Sequence, residues 1–127
     1  MPGMGAEEVK EAAMADKTIE AIKDQIANNA ILLYMEGTPA APSNDHSMKA
    51  VSALMGCGER FVHVNVTHNP DIQKELPEIG NWPTFPQLWV DGELVGGADI
   101  IVEMFESGEL QVLVKETARK RRAVSEA

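Results

Sequence analysis

The sequence predicts an α/β protein in which a four-stranded mixed sheet is flanked by helices. Three observations carry this prediction. The run 31–35 is wholly apolar, as is typical of a strand that is buried on both faces. The run 61–66 alternates with period two and follows a helical segment, an order that indicates a parallel β-α-β unit. Asp91-Gly92 separates two short apolar runs, which is typical of an antiparallel hairpin.

Two helical segments surround the first strand. The first begins at Asp16 or Thr18, either of which can cap it, and its isoleucines recur every three or four residues until Asn28. The second begins at Ser43 or Asn44, which are also capping residue types, and ends at the glycines around position 57. Between them, a loop is predicted over 36–42.

Two more helices complete the pattern. A short helix is predicted over 71–76, where Pro77 ends it. A last helix is predicted from 98 or 99 to about 118, with an interruption near Gly108. The resulting order α, β, α, β, α, β, β, α combines a parallel unit with a terminal hairpin. This order is the arrangement of the thioredoxin fold.

The chain is predicted to contain one domain with two short ends. Its 127 residues suffice for a single hydrophobic core. Residues 1–15 are rich in small and acidic side chains and are predicted to be flexible or weakly helical. The domain itself is predicted over 16–120, followed by a tail over 121–127.

Composition and charge exclude several classes of function. The net charge of −9 argues against nucleic acid or an anionic membrane surface as the main partner. There is no apolar run near the ~20 residues that span a membrane, and the acidic N-terminus does not resemble a signal peptide. A single cysteine, Cys57, cannot form an intramolecular disulfide. The predicted compartment is therefore the cytoplasm.

The most informative stretch is 81–92, which reads Asn-Trp-Pro-Thr-Phe-Pro-Gln-Leu-Trp-Val-Asp-Gly. Pro86 stands at the first position of a strand, where a proline is tolerated and where a cis bond is plausible. With Gly-Gly-Ala-Asp at 96–99 and Asn-Pro-Asp-Ile at 69–72, this stretch resembles the monothiol glutaredoxins. The resemblance covers nearly all of 18–120.

The resemblance implies a thioredoxin fold, glutathione binding and a bridging [2Fe-2S] cluster that is held by two protein cysteines and two glutathione thiols. It also implies partners of the BolA type or other iron–sulfur assembly proteins. The corresponding glutathione-binding positions in this chain are Glu36, Gln73, Thr84, Phe85, Pro86, Gly97, Ala98 and Asp99.

The chain departs from the family pattern at the loop opposite Pro86. Where the family has Cys-Gly-Phe-Ser, this sequence reads Asn44-Asp-His-Ser. An amide neither attacks a disulfide nor binds iron as a thiolate does. Glu36 and Gln73 also replace a lysine and an arginine of the family, which weakens the predicted contacts with glutathione.

Two functions are compatible with these residues. The first is a non-catalytic binding or regulatory protein of the monothiol, iron–sulfur-linked branch, without thiol–disulfide catalysis. The alternative is a functional monothiol glutaredoxin in redox homeostasis or in [2Fe-2S] cluster assembly and transfer, with Cys57 or a partner supplying the thiol.

Several other side chains have a structural and a functional interpretation. Asn44 is predicted to cap the second helix, the alternative being a repurposed binding loop. His46 is predicted to be an exposed first-turn residue rather than a proton donor or metal ligand. Cys57 is predicted to be a small buried hydrophobe rather than a nucleophile.

The remaining predictions concern packing. Three methionines at helical spacing, Met48, Met55 and Met104, are assigned to the core, as is Trp89 within its apolar strand. The basic run 119–122 is interpreted as a solvated helix end that complements the helix dipole.

Overall fold

The computed structural model describes the backbone of residues 6–126 and the side chains of residues 14–122. The sequence forms five α-helices, six strands and one short 3-10 helix (Val66–His68) over this range. The helices are α1 (Ala6–Asn28), α2 (Asp45–Gly56), α3 (Pro70–Ile79), α4 (Ala98–Ser107) and α5 (Glu109–Glu126). The strands are β1 (Ile31–Met35), β2 (Gly37–Thr38), β3 (Ala41–Pro42), β4 (Val62–Asn65), β5 (Gln87–Val90) and β6 (Glu93–Gly96).

Four of the strands form one mixed sheet in the order β4-β1-β5-β6. β1 is parallel to β4 and antiparallel to β5, so that Leu33 lies between His63 and Leu88. β5 and β6 form the antiparallel hairpin, whose turn residues Asp91 and Gly92 have φ angles of 51° and 83°. Positive φ at both turn positions is the geometry that an Asp-Gly sequence favours. The predicted mixed sheet is therefore confirmed.

Helices cover both faces of this sheet, and β1 supplies side chains to each face. Ile31, Leu33 and Met35 pack in one core cluster with residues of α2, α4 and α5. Leu32 and Tyr34 point the opposite way and pack with residues of α1 and α3. The period-two alternation of a strand explains why a wholly apolar run serves two cores at once.

Two helices extend further than the sequence indicates. α1 begins at Ala6 rather than at Asp16 or Thr18, and α5 continues to Glu126 through most of the predicted tail 121–127. Alanine, glutamate, lysine and arginine dominate both extensions, and these residue types have high helix propensity. The rest of the predicted terminal segments, residues 1–5 and 127, lies outside the described residues.

Pro77 does not end α3, which contains it and continues to Ile79. A proline lacks one backbone donor, but the helix end around it remains bonded. The Gly80 N–H donates to the Leu76 carbonyl and the Trp82 N–H donates to the Pro77 carbonyl, at 3.2 and 3.0 Å.

Of the two predicted irregular segments, the loop over 36–42 is partly wrong and the break near Gly108 is confirmed. The predicted loop 36–42 contains the short β2–β3 hairpin, in which Gly37 pairs with Pro42. The predicted interruption near Gly108 is confirmed, because this residue separates α4 from α5 with a left-handed φ of 86°.

Some of the packing predictions are confirmed and others are wrong. Trp89 and Cys57 are buried as predicted, with 7% and 4% of their surface exposed, and Met104 packs at the margin of the core. Met48 and Met55 are 48% and 62% exposed, so their assignment to the core is wrong. They lie seven residues apart on α2, away from the helix face that contacts the sheet.

The basic run 119–122 lies before the last turn of α5, which contains no basic residue, so the interpretation of this run as a helix end is wrong. The run contains two ion pairs. Arg121 lies 3.3 Å from the Asp91 carboxylate, and Arg122 lies 3.7 Å from that of Glu59. Both pairs are largely exposed, so each contributes little to stability.

Within residues 6–126, the helices are too short or too polar to cross a membrane.

Candidate functional site

A groove of about 760 Å³ lies where α2 and α4 begin, beside the segment that leads into β5. The eight positions that the resemblance predicts to bind glutathione all line it. Its lining consists of Glu36, His46, Gln73, Pro77, Trp82, Pro83, Thr84, Phe85, Pro86, Gly97, Ala98, Asp99 and Ile100. Whether these residues bind glutathione stays a prediction.

One wall of the groove is the segment that precedes β5, and its Phe85–Pro86 peptide bond is cis. Gln87 supports this wall from below, because its fully buried amide donates to the carbonyls of Trp82 and Thr84 at 3.0 and 3.3 Å. Its side-chain oxygen accepts from Trp89 Nε1 at 3.2 Å. One buried glutamine therefore joins the wall to β5.

The opposite wall is the turn after β1, which carries Glu36. The Glu36 N–H donates to Oγ of the fully buried Ser47 at 3.1 Å. The next residue, Gly37, donates its N–H to Asn65 Oδ1 at 3.0 Å and has a φ of +91°. A Cβ at Gly37 would lie 2.6 Å from the Ala41 carbonyl oxygen, so only glycine fits there. These contacts place Glu36 beside the first turn of α2.

Asn44 is the N-cap of α2, as the sequence predicts. Its backbone is extended and its Oδ1 accepts a hydrogen bond from the Ser47 N–H at 2.9 Å. An N-terminal N–H that would otherwise lack a partner is thereby satisfied by an uncharged amide. Asp45 adds a carboxylate to the same turn. Asn44 itself does not line the groove, whereas His46 does, and His46 is exposed as predicted.

The third side of the groove is the start of α4, where Gly97 occupies the N-cap position without a side-chain capping bond. A Cβ at Gly97 would lie 3.2 Å from Trp82 Nε1 and 3.4 Å from the Pro86 carbonyl oxygen. The indole therefore packs closely over this backbone. Its Nε1 is buried and has no hydrogen-bond partner. Asp99 lies in the first turn of α4 and is exposed.

Cys57 lies at the opposite end of α2, inside the core and away from the groove lining. Its Sγ donates to the Ala53 carbonyl at 3.3 Å. Burial raises the pKa of the Cys57 thiol, and the positive charge of Lys115 offsets only part of that rise. The thiol is therefore held in its protonated, unreactive form.

Sequence reasoning missed the residues that support the groove, chiefly Ser47 and Gln87, and the lining residue Trp82. Gln87 had a usable signal, because it is the one polar residue in the run Gln-Leu-Trp-Val of β5. A buried amide needs partners, so its position next to a turn indicates bonds to that turn. Ser47 has no such signal, since a serine in the first turn of a helix is usually exposed.

Comparisons with known proteins agree with this geometry. The family model described as Glutaredoxin matches residues 31–95. Glutaredoxin 4 of Escherichia coli K12 is 64% identical over 103 residues, which cover 81% of this chain and 90% of that protein. Glutaredoxin 4 of Haemophilus ducreyi is 58% identical over 104 residues, covering 82% of this chain and 97% of that protein.

Solved structures show the same fold. The solution structure of reduced poplar apo GrxS14 superposes with a TM-score of 0.67 at 37% identity, covering 79% of this chain and 93% of that one. A buckwheat glutaredoxin–glutathione complex superposes with a TM-score of 0.73 at 15% identity, covering 84% and 94%, which supports the fold alone. The thioredoxin fold predicted from the sequence is thus confirmed. The chain belongs to the glutaredoxin family, in its monothiol branch.

Proposed function

We propose that this glutaredoxin is a binding or regulatory protein that does not catalyse thiol–disulfide exchange. The observation that carries the proposal is the capping bond from the Ser47 N–H to Asn44 Oδ1. In the monothiol family pattern, the position of Asn44 belongs to the reactive cysteine. In this chain the side chain at that position caps the start of α2 instead.

The chemistry of exchange explains why this substitution matters. A thiolate sulfur attacks one sulfur of a disulfide, a new S–S bond forms, and the other sulfur leaves as a thiolate. The Asn44 amide has no electron pair that performs this attack. Cys57 has the required sulfur, but its thiol is buried among core side chains and its pKa is raised. Neither residue can therefore act as the nucleophile from the groove.

The same residues fit poorly with an iron–sulfur cluster. Its iron atoms prefer thiolate ligands, and the groove lining contains no cysteine. Across the part of the chain that the structure describes, His, Cys, Asp and Glu side chains do not form a group of three or more that could hold a metal ion. The lining of this groove therefore does not supply the thiolate ligands of a cluster.

The proposed binding role rests on the residues of the groove that the substitutions at Asn44, Glu36 and Gln73 leave unaltered. Thr84, Phe85 and Pro86 form one wall of the groove, and Gly97 to Asp99 form another. A backbone-lined groove of this kind can hold an extended segment without a thiol. By resemblance, the first candidate partners are BolA-type proteins and other iron–sulfur assembly proteins.

A glutathione-dependent disulfide reduction assay tests the proposal. The purified protein should show no turnover above background, because no thiolate faces the groove. Asn44→Cys places a thiol at the N-terminus of α2, where the helix dipole favours a thiolate, and should gain measurable turnover. Cys57→Ala is the matched control and should leave the assay of the parent protein unchanged. Turnover in the parent that disappears in Cys57→Ala would establish the alternative, catalytic function.

A second experiment tests the assignment of the groove. Glu36 opposes any ligand carboxylate on its wall, so combining Asn44→Cys with Glu36→Lys should restore glutathione binding. Titration calorimetry with glutathione compares the binding affinity of the double variant with that of the parent protein. If no heat of binding appears in the double variant, the groove is not the glutathione site.

A further inference from the structure

We propose that the groove selects an extended peptide segment that carries positive charge. This inference rests on the binding role proposed above and concerns the same groove. It follows from three features of the groove residues, namely their charge, the helix ends that face the groove, and the free backbone at Phe85.

The charge of the groove is negative and uncompensated. Glu36 and Asp99 stand on different walls, and neither forms a salt bridge with residues 14–122. The lining contains no lysine or arginine; its one basic side chain is His46. Two unpaired carboxylates facing one cleft focus a negative potential into it.

The helix ends do not reverse this sign. α2 and α4 both begin at the groove, and each N-terminus carries roughly half a positive charge. Together they contribute about +1, whereas Glu36 and Asp99 in the lining contribute two full negative charges, and Asp45 adds a third in the first turn of α2 outside the lining. The Asn44 cap also removes one of the N–H groups that an anion would use. The balance therefore favours a cation.

The shape of the groove favours an extended backbone. The N–H and C=O of Phe85 form no hydrogen bond within the described residues, although Phe85 directly precedes β5. An extended segment can pair with these two groups. Trp82 and Phe85 contribute aromatic surface on the same wall, and aromatic faces attract ammonium and guanidinium groups.

Three matched peptides test this inference: acetyl-Ala-Lys-Ser-Lys-Ala-amide and its counterparts with two glutamates or two glutamines in place of the lysines. Binding is followed by NMR through the Phe85 amide and the Trp82 indole N–H, in low salt at about pH 8, where imidazoles are generally neutral. The lysine peptide should bind best and the glutamate peptide worst. The affinity of the lysine peptide should fall as salt is added.

Two variants locate the source of the preference. Glu36→Gln and Asp99→Asn should each weaken binding of the lysine peptide by about two- to fivefold, as expected for exposed charge pairs. The neutral glutamine peptide should be unaffected by either change. Glu93→Gln, on β6 outside the groove lining, is the matched control and should change neither affinity.

The outcomes separate this inference from the proposed function. Equal or tighter binding of the glutamate peptide overturns the charge preference and leaves the absence of thiol exchange intact. An affinity for the lysine peptide that is unchanged in both Glu36→Gln and Asp99→Asn also overturns it. Peptide binding without shifts at Phe85 and Trp82 assigns the interaction to another surface, which contradicts the inference as well. The proposed lack of catalysis is decided separately by the reduction assay.

Discussion

At the scale of single residues, the proposed lack of thiol exchange rests on the two residues that flank α2. Asn44 and Cys57 stand at opposite ends of the same helix. Asn44 caps the start of the helix but has no sulfur, and Cys57 has the sulfur but is packed into the core. A side chain reacts only where its chemistry and its accessibility coincide, and along α2 they do not.

The capping role of Asn44 leads to a stability prediction. Asn44→Ala should lower the free energy of unfolding by about 1 kcal/mol, because the Ser47 N–H loses its acceptor. Urea denaturation measures the change. Asn44→Ser is the matched control, because its hydroxyl can accept from the same Ser47 N–H and should keep most of that free energy. Equal losses in the two variants would contradict the capping role.

At the scale of elements, the groove depends on how β5 holds the segment before it. Gln87 belongs to β5, but its amide nitrogen donates to two carbonyls of the turn at 82–84. Its amide oxygen accepts from the indole N–H of Trp89. These bonds connect the wall of the groove to the sheet. Mobility in this wall would weaken any ligand contact that depends on the position of Phe85.

Replacing this glutamine should loosen the groove wall. Gln87→Leu keeps similar bulk but leaves two carbonyls and the Trp89 N–H without partners, so the free energy of unfolding should fall by about 1–3 kcal/mol. NMR should show displaced amide signals across 82–85. Gln73→Leu is the matched control at an exposed lining position, with an expected change within about 0.5 kcal/mol. Unchanged shifts across 82–85 in Gln87→Leu would show that the wall does not depend on this side chain.

At the scale of the whole molecule, the two cores on either side of β1 each contain a buried titratable group. Tyr34 is fully buried in the core under α1 and α3, and Cys57 lies in the core under α2, α4 and α5. Burial raises the pKa of both groups above their ordinary values. Each core therefore favours the protonated, uncharged form.

Stability should consequently decline in alkaline solution. Below the unfolded-state pKa values, about 8.5 for cysteine and about 10 for tyrosine, both states hold their protons. Above them the unfolded chain releases protons that the folded protein keeps, so the free energy of unfolding decreases as pH rises. Urea denaturation between about pH 8 and 11 measures this slope. Tyr34→Phe removes the hydroxyl and should give a shallower decline above about pH 10; an unchanged slope would contradict the contribution of Tyr34.

The family resemblance predicted eight positions from Glu36 to Asp99 that line one groove. The sequence by itself determined the mixed sheet, the Asp91-Gly92 hairpin and the break at Gly108. Local turn chemistry and hydrophobic period carry that information, because both depend on neighbours in the chain. The tertiary structure alone decided that Ser47 and Gln87 support the groove and that Met48 and Met55 face solvent. It also decided that Glu36 and Asp99 share one groove without a cationic partner. Burial and pairing depend on segments that are distant in sequence, and these meet only when the sheet brings the starts of α2 and α4 together.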